Sequence, residues 1–512
     1  MLRRVLSLSL VFVCRGAVAQ PSAPNVSQVV AYSTVVPGLR IQAAPGSSSV
    51  SNPAGTGTVP NAVLSVYTEN VSSSNINIPQ TYVVANPVAL SSVVSSNIAV
   101  ALSTLIPVSS PASAVTEMKD PATGALLPSS DTDLGPIFTE RADVIGQGRF
   151  HVGITHQDLH FTSLDGHSLN GMNIIYSGGN PSKGLNANTL PATYNLGLDV
   201  RLSQTLAFFT YGLTNRVEVS AGIPMIHASV ASTAYNGMIY SGAGDGSANG
   251  QCWCINTFTP GAFNLTMPFI GQARGSKTGM GDVLLRVKGA AMARHNFLMS
   301  LGGDLRLPTG DAENYLGTGA TSVKPFAAVS LLTNPSVNGV VISPHANVGW
   351  QFSGRSVLGG LLQPTLQTGQ ISSGSLQYAS TPFTVPTHDY LPDVFSWGVG
   401  LEAALGRRNT IVVDFLGNQV GWVHGAETLK YVTQMGLAPN LPGATVSATP
   451  YSGFVSVGKT SFGQYSSAFG YKARLAGNLV ATVNLLVRLD NNGLTARLVP
   501  LYGLSYSFGA GR

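Results

Sequence analysis

From about residue 146 to its end, the chain alternates apolar and polar positions in stretches of roughly ten to eighteen residues, separated by clusters of Gly, Asn, Pro and Ser. A period of two is the signature of β-strands whose two faces meet different surroundings. The pattern predicts twelve strands, over 146–162, 194–212, 215–227, 279–290, 296–308, 323–333, 340–352, 393–406, 409–420, 465–475, 478–490 and 496–508. The second changes phase near Ser203, so it is expected to hold a bulge or to be two strands.

The charges fall on one face. In 194–202, Leu196, Leu198, Val200 and Leu202 oppose Asp199 and Arg201. In 215–223, Val217, Val219, Ala221 and Ile223 oppose Arg216 and Glu218. In 282–288, Val283, Leu285 and Val287 oppose Asp282, Arg286 and Lys288. In 297–307, Phe297, Met299, Leu301, Leu305 and Leu307 oppose Asp304 and Arg306. In 478–490, Leu479, Ala481, Val483, Leu485, Val487 and Leu489 oppose Asn478, Thr482, Asn484, Arg488 and Asp490.

A soluble antiparallel sheet shows the same alternation, so the choice rests on other features. The connections alternate in length. Those near 213–214, 291–295, 334–339, 407–408 and 476–477 are short; those at 163–193, 228–278, 309–322, 353–392 and 421–464 are long, with 491–495 a short exception. An even strand count with short turns at one end and long loops at the other is the organisation of an outer-membrane barrel. Tyr211, Trp350, Phe352, Trp397, Trp422, Tyr506 and Phe508 sit near strand ends, where rings prefer a lipid–water interface. The expected class is all-β, a transmembrane antiparallel barrel of about twelve strands (ten to fourteen).

Composition strengthens this. Charged residues are 10% of the chain, against roughly 25% in a soluble domain. Mean hydropathy is only +0.22, and beyond the N-terminus no run of about 18 apolar residues could span a bilayer as a helix. The net charge of +5 is not concentrated in a basic patch, which argues against nucleic acid as a partner.

The N-terminus reads as an export signal over residues 1–19. Arg3 and Arg4 precede an apolar run from Val5 to Cys14, and Ala17-Val18-Ala19 fits a cleavage site before Gln20. Residues 20–134 form a Ser/Val/Ala/Pro-rich leader, expected to be extended or disordered, ahead of a barrel region at 135–512. Between 20 and 116 only Arg40 and Glu69 are charged. The leader can be a mobile tail, a stalk, or a plug inside the barrel; short runs such as Tyr82-Val83-Val84 and Ile98–Leu102 can pair as strands.

Several segments carry a family likeness: Gly135-Pro136-Ile137-Phe138-Thr139-Glu140-Arg141-Ala142, Gly146-Gln147-Gly148-Arg149-Phe150, Tyr211–Val219, Gly222-Ile223-Pro224, Gly279–Val283, Leu305–Asp311, Asp414–Gly417 and Asn484–Asp490. In order and spacing, roughly residues 105–508 resemble a family of outer-membrane barrels named for the meta-pathway of phenol degradation. The resemblance implies a channel or uptake protein for small, aromatic or otherwise poorly soluble compounds. The terminal run to Tyr506 and Phe508 resembles the insertion signal that bacterial outer-membrane barrels present to the barrel-assembly machinery, here followed by Gly509 to Arg512.

The alternation places Arg149, Asp199, Arg201, Arg216, Glu218, Asp282, Arg286, Lys288, Asp304, Arg306, Glu402, Asp414, Lys472, Arg474, Arg488, Asp490 and Arg497 in the lumen, ten basic and seven acidic. These line a pore whose charge tunes selectivity, or form ion pairs that fill a narrow barrel. Arg216 and Glu218 are expected to organise the rim beside a short turn. No cofactor is expected. Asp311 and Glu313 are too few carboxylates for a Ca²⁺ site. Histidines 151, 156, 160 and 167 do not share a face in the way a metal site needs. Cys252 and Cys254, one residue apart, make a strained ring at best.

Two alternatives to a channel are an adhesive or structural barrel acting through its long loops, and a phospholipase-like hydrolase. For the latter, His227 and Ser229 share the outward face near the end of a strand, as base and nucleophile, without an identifiable third group. The expected partners are membrane lipid, the assembly machinery and a small solute.

Overall fold

The computed structural model describes residues 25–30, 87–104, 118–119, 126–127, 138–177, 191–239, 271–294, 297–331, 340–360, 370–372, 375–377, 387–406, 408–435 and 447–509. The export signal, Cys252 and Cys254 lie outside these residues. Twelve strands close an antiparallel barrel: β1 (Arg149–Phe161), β2 (Pro191–Gly212), β3 (Val217–Ile239), β4 (Val283–Arg294), β5 (Phe297–Leu307), β6 (Ser322–Leu331), β7 (Val340–Ser353), β8 (Val394–Leu405), β9 (Asn409–Met435), β10 (Ser447–Ala476), β11 (Leu479–Arg488) and β12 (Leu498–Gly509). Each pairs with its sequence neighbours, and β12 closes on β1 from Leu501↔Gln157 to Gly509↔Arg149. Closure leaves no sheet edge with unpaired backbone groups, which is what allows strands to cross a bilayer.

The connections alternate in length, apart from 489–497 between β11 and β12, which is short. The connections 213–216, 295–296, 332–339, 406–408 and 477–478 are short, and the strand ends that they join lie at one end of the barrel. The stretch expected as a long loop over 421–464 is mostly strand, because β9 and β10 stay paired out to Met435↔Ser447. An additional segment, Gly271–Met280, pairs with the upper part of β3 and leads into β4. Met280 lies opposite Met225 and Leu284 opposite Gly222, so one extra residue is accommodated at Gly281-Asp282. This bulge buries both of those residues in the interior.

The expected irregularity near Ser203 is absent. The β2–β3 register runs unbroken from Asn195↔Tyr235 to Gly212↔Glu218, and even-numbered residues of β2 face inward from Leu196 to Gly212. What changes along the strand is the chemistry of its faces. In the half toward the short turns, outward positions are apolar (Ala207, Phe209, Tyr211) and Gln204 and Thr210 face in. In the other half, Leu196, Leu198, Val200 and Leu202 face in and are buried, while Asp199 and Arg201 face out. β3 repeats the exchange: Val217, Val219 and Ile223 point out opposite Glu218, then Ile226, Ala228 and Val230 point in opposite His227 and Ser229.

Length explains this. At ~3.3 Å per residue a strand of 22 residues runs about 70 Å, whereas a bilayer core takes about 9–11 tilted strand residues. The remainder stands in water, where the outer face must be polar and the inner face packs as in a soluble protein. Within the belt, large apolar side chains such as Ile154, Val287, Leu301 and Val323 are exposed on the barrel exterior. At its short-turn edge the Phe150 ring stacks on Phe508, centroids 5.5 Å apart, and packs at a tilt against Tyr211 at 4.4 Å.

A charge in the belt should therefore be costly and one above it should not. Leu301→Lys is expected to destabilise the barrel by about 2–4 kcal/mol, and Ser229→Lys, higher on the outward face, by less than about 0.5 kcal/mol. Urea titration of protein refolded into lipid vesicles measures both, and equal costs would contradict the placement of the belt.

Candidate functional site: the lumen and the chain threaded through it

Two segments from before the first strand occupy the interior. Residues 138–145 run down the half of the wall built by β3–β9. Their backbone N–H groups are met by side chains of the wall, not by strand pairing. Glu140 N donates to Asn347 Oδ1 (3.2 Å), Ala142 N to Ser330 Oγ (2.9 Å) and Ile145 N to Glu218 Oε2 (2.8 Å). Thr139 Oγ1 donates to Asp414 Oδ1 at 2.9 Å. Buried backbone donors need such partners, and the inward polar residues of the belt supply them.

Register positions these groups. Ser330, His345, Gly400 and Asp414 lie side by side on β6, β7, β8 and β9. A Cβ on Gly400 would sit 2.2 Å from both His345 Nε2 and Asp414 Oδ1, and one on Gly398 2.8 Å from Thr139 Cγ2. Glycine at these two inward positions is the space through which the segment passes. His345 Nε2 lies 3.3 Å from Asp414, and its Nδ1 3.6 Å from Glu402.

The segment's own charges complete a network. Glu140 bridges Lys288 (2.8 Å) and Arg286 (2.5 Å), and Lys288 also meets Glu218 at 2.9 Å. Arg286 clamps Asp304 through two bonds of 2.6 and 2.9 Å and lies over the Phe326 ring at 5.0 Å. Arg141 joins Glu402 (3.1 Å) and Asp143 (2.6 Å). Lys288 is completely buried, so removing either partner strands a charge away from water.

The second occupant is a helix, α1 (Pro87–Thr104). It lies in the stretch expected to be extended, and it includes Ile98–Leu102, offered from sequence as a strand. A helix satisfies its backbone internally, and a lone strand in the lumen would not. Its end carbonyls, Leu102 O and Ser103 O, accept from Arg306 at 2.9 and 3.0 Å, a cation placed where the helix dipole favours one. Val93, Val94 and Ile98 pack with inward Leu198, Val200 and Val230 in one apolar cluster. Ser95 Oγ meets Tyr315 OH at 2.8 Å. Tyr315 belongs to the inward-folded loop 308–321, and burial raises its hydroxyl pKa against the opposing hydrogen bond from Ser95.

That loop is anchored by Asp282, which accepts from Thr318 N and Oγ1 (2.6 Å each) and Gly310 N (3.1 Å). Asp311 accepts from Asn314 and Glu313 from Asn25, so both carboxylates have protein donors.

Of the charges expected in the lumen, Glu218, Asp282, Lys288, Asp304, Arg306, Glu402, Asp414 and Lys472 are buried inside the barrel, and Arg286 faces inward with them, half-buried. Arg149 and Arg474 face inward at the short-turn rim. Arg488 faces inward at the opposite end and pairs with Asp490 at 3.3 Å. Four differ. Asp199 and Arg201 lie outside, paired at 2.9 Å with the arginine 61% exposed, because the strand has left the belt at their level and its faces have exchanged chemistry. Arg216 is exposed in the 213–216 turn. Arg497 is exposed in the loop between β11 and β12, where it donates to Asn491 Oδ1 at 3.1 Å. The sequence reading missed Glu140, Arg141, Asp143 and His345. The first three precede the alternating region; His345 was visible in the alternation of 340–352 but was not a fixed charge. His227 and Ser229 face outward above the belt, where His227 Nδ1 meets Thr278 Oγ1 at 2.7 Å.

No family model matches the chain, and no curated protein does. Among solved structures it is similar to an outer-membrane channel from Pseudomonas putida F1 (12% identity, 71% of this chain and 97% of that one, TM-score 0.33). It is also similar to the NanC porin (8%, 70% and 100%, TM-score 0.29) and to the translocator domain of the autotransporter NalP from Neisseria meningitidis (8%, 71% and 89%, TM-score 0.29). At these values the likeness bears on neither solute nor mechanism, which rest on the geometry above.

Lys288→Met is expected to cost about 3 kcal/mol, the low end for breaking a buried ion pair, since Glu140 keeps Arg286 and Glu218 keeps the Ile145 N–H while both lose the ammonium. Arg201→Met should leave the unfolding midpoint unchanged. Urea unfolding of the two variants side by side checks this, and a silent Lys288→Met would contradict the network.

Proposed function

We propose that the chain is a bacterial outer-membrane channel or uptake protein, delivered by an export signal, that passes a small solute by passive diffusion. The observation that carries this reading is the make-up of the interior. The belt has a polar lumen inside a closed wall, and that lumen is occupied by chain attached through side chains rather than built into the sheet. A barrel serving only as a structural support for its loops would gain as much from an apolar interior. Rings of inward charge are the means by which a pore selects among solutes. The solute class implied by the family resemblance is aromatic or otherwise poorly soluble, and the apolar sleeve around α1 is compatible with it.

Single-channel recording in planar bilayers tests this on the mature chain and on a form lacking residues 20–116, which include α1. The expected result is ohmic conductance that rises severalfold on truncation. Silence in both forms, with the barrel shown folded by heat-modifiable gel mobility, would reject the channel reading.

A further inference from the structure

Among the described residues, every inward carboxylate on the β3–β9 half of the wall is engaged. Glu218 meets Lys288 and accepts from Ile145 N, Glu402 meets Arg141, and Asp414 accepts from Thr139 Oγ1. Asp282 is held by Gly310 N and Thr318 N. Asp304 accepts from Arg286 at both oxygens, at 2.6 and 2.9 Å. A cation entering this half of the lumen meets no carboxylate that lacks a protein donor.

Lys324 is in the opposite position. It lies on β6 between Val323 and Pro325, which are exposed on the exterior, and alternation turns it inward, where it is half-buried. Asp304 is its partner in the β5–β6 register. The lysine leans the other way, toward β7: a Cβ added to Gly349 would sit 2.7 Å from Lys324 Cε. Two bonds from Arg286 leave Asp304 little to offer a second cation. Lys324 forms no hydrogen bond or ion pair among the described residues. Within electrostatic reach of it are the carboxylates of Asp304 and Glu140 and the guanidiniums of Arg286 and Arg306. Those two acids and two bases cancel, so the Lys324 ammonium stands as an uncompensated positive charge. Arg306, its diagonal neighbour across β5–β6, adds to the surplus of donors: its Nε is buried without a partner, while its other nitrogens go to the end of α1.

We infer that Lys324 sets the charge preference of the passage, favouring small anions over cations. Low-dielectric walls focus the field of a charge across the space between them, so the lysine acts at a distance and needs no pocket shaped to a ligand. Inward charge left over after internal pairing is what a passing ion meets, and on this half of the wall that charge is positive. The inference deepens the channel reading by naming the charge class of the solute, and it rests on that reading for its role in passage.

The test is the reversal potential of the full mature chain in planar bilayers under a gradient of potassium chloride. The chloride-over-potassium permeability ratio is expected to exceed unity, to fall at least about threefold in Lys324→Gln and to drop below unity in Lys324→Glu. Arg201→Gln, on the outer face, should leave the ratio unchanged. Heat-modifiable mobility verifies folding, and Lys324→Met, expected to match Lys324→Gln, replaces a variant that does not fold. A ratio below unity in the unaltered protein, or one that folded Lys324 variants do not change, would overturn the inference. A silent bilayer would remove the channel reading alone, and a second measurement would then decide. The lysines are dimethylated with carbon-13 formaldehyde, and the NMR signal lost in Lys324→Gln is followed as chloride replaces gluconate at constant ionic strength. A shift larger than that of the exposed Lys277 is expected; an equal or smaller one would overturn the attraction of anions to Lys324.

Discussion

Every feature of this molecule follows from one constraint: inside a bilayer, a backbone N–H or C=O without a partner costs several kcal/mol. Twelve strands paired neighbour to neighbour and closed by β12 on β1 satisfy the wall completely. Once closed, the wall must show lipid its apolar side chains, so the alternating polar ones have nowhere to go but in. A polar lumen then creates a second requirement, because its side chains need partners as well. Residues 138–145 answer it, and the match is mutual: the wall's Asn347, Ser330 and Glu218 take the segment's N–H groups, while the segment's Glu140 and Arg141 take the wall's Lys288, Arg286 and Glu402.

The same reasoning accounts for the half of the barrel that stands above the belt. Water outside reverses the preference of each face, and the interior becomes an ordinary apolar core. That core needs an occupant with an apolar surface and a self-satisfied backbone. The sequence Pro87–Thr104, rich in Val, Ala, Leu and Ser, meets both needs only as a helix. Valine-rich stretches favour strands in isolation, and here tertiary context decides. Arg306, at the level where polar lumen gives way to apolar core, faces the helix end rather than a carboxylate.

The wall was legible in the chain because period-two alternation and turn spacing are local signals; Val217–Ile223, Val283–Lys288 and Phe297–Leu307 could be assigned to faces residue by residue. Asp199 and Arg201 were misplaced because alternation tells which residues share a face, not which medium the face meets, and that exchanges at mid-height on β2. The occupants were not legible for a different reason. Residues 138–145 have no periodicity, and their bonds run to partners some 70 to 280 positions away, such as Glu218 and Asp414. Glu140 and Arg141 stood in the segment that carried the family likeness, yet no local rule marks a charged pair as the contents of a barrel that follows it. His345 is not legible for a third reason: an imidazole carries no fixed charge to mark an inward position of the alternation.

The most direct test of the account is spin-label accessibility at three positions of β2, in protein reconstituted into lipid vesicles with Cys252 and Cys254 replaced by serine. A label at residue 209 should be relaxed by oxygen and shielded from a water-soluble nickel chelate, a label at 201 should show the reverse, and one at 204 should be shielded from both. A label at 201 that behaves like one at 209 would contradict the exchange of faces, and free access of nickel to 204 would contradict an occupied lumen.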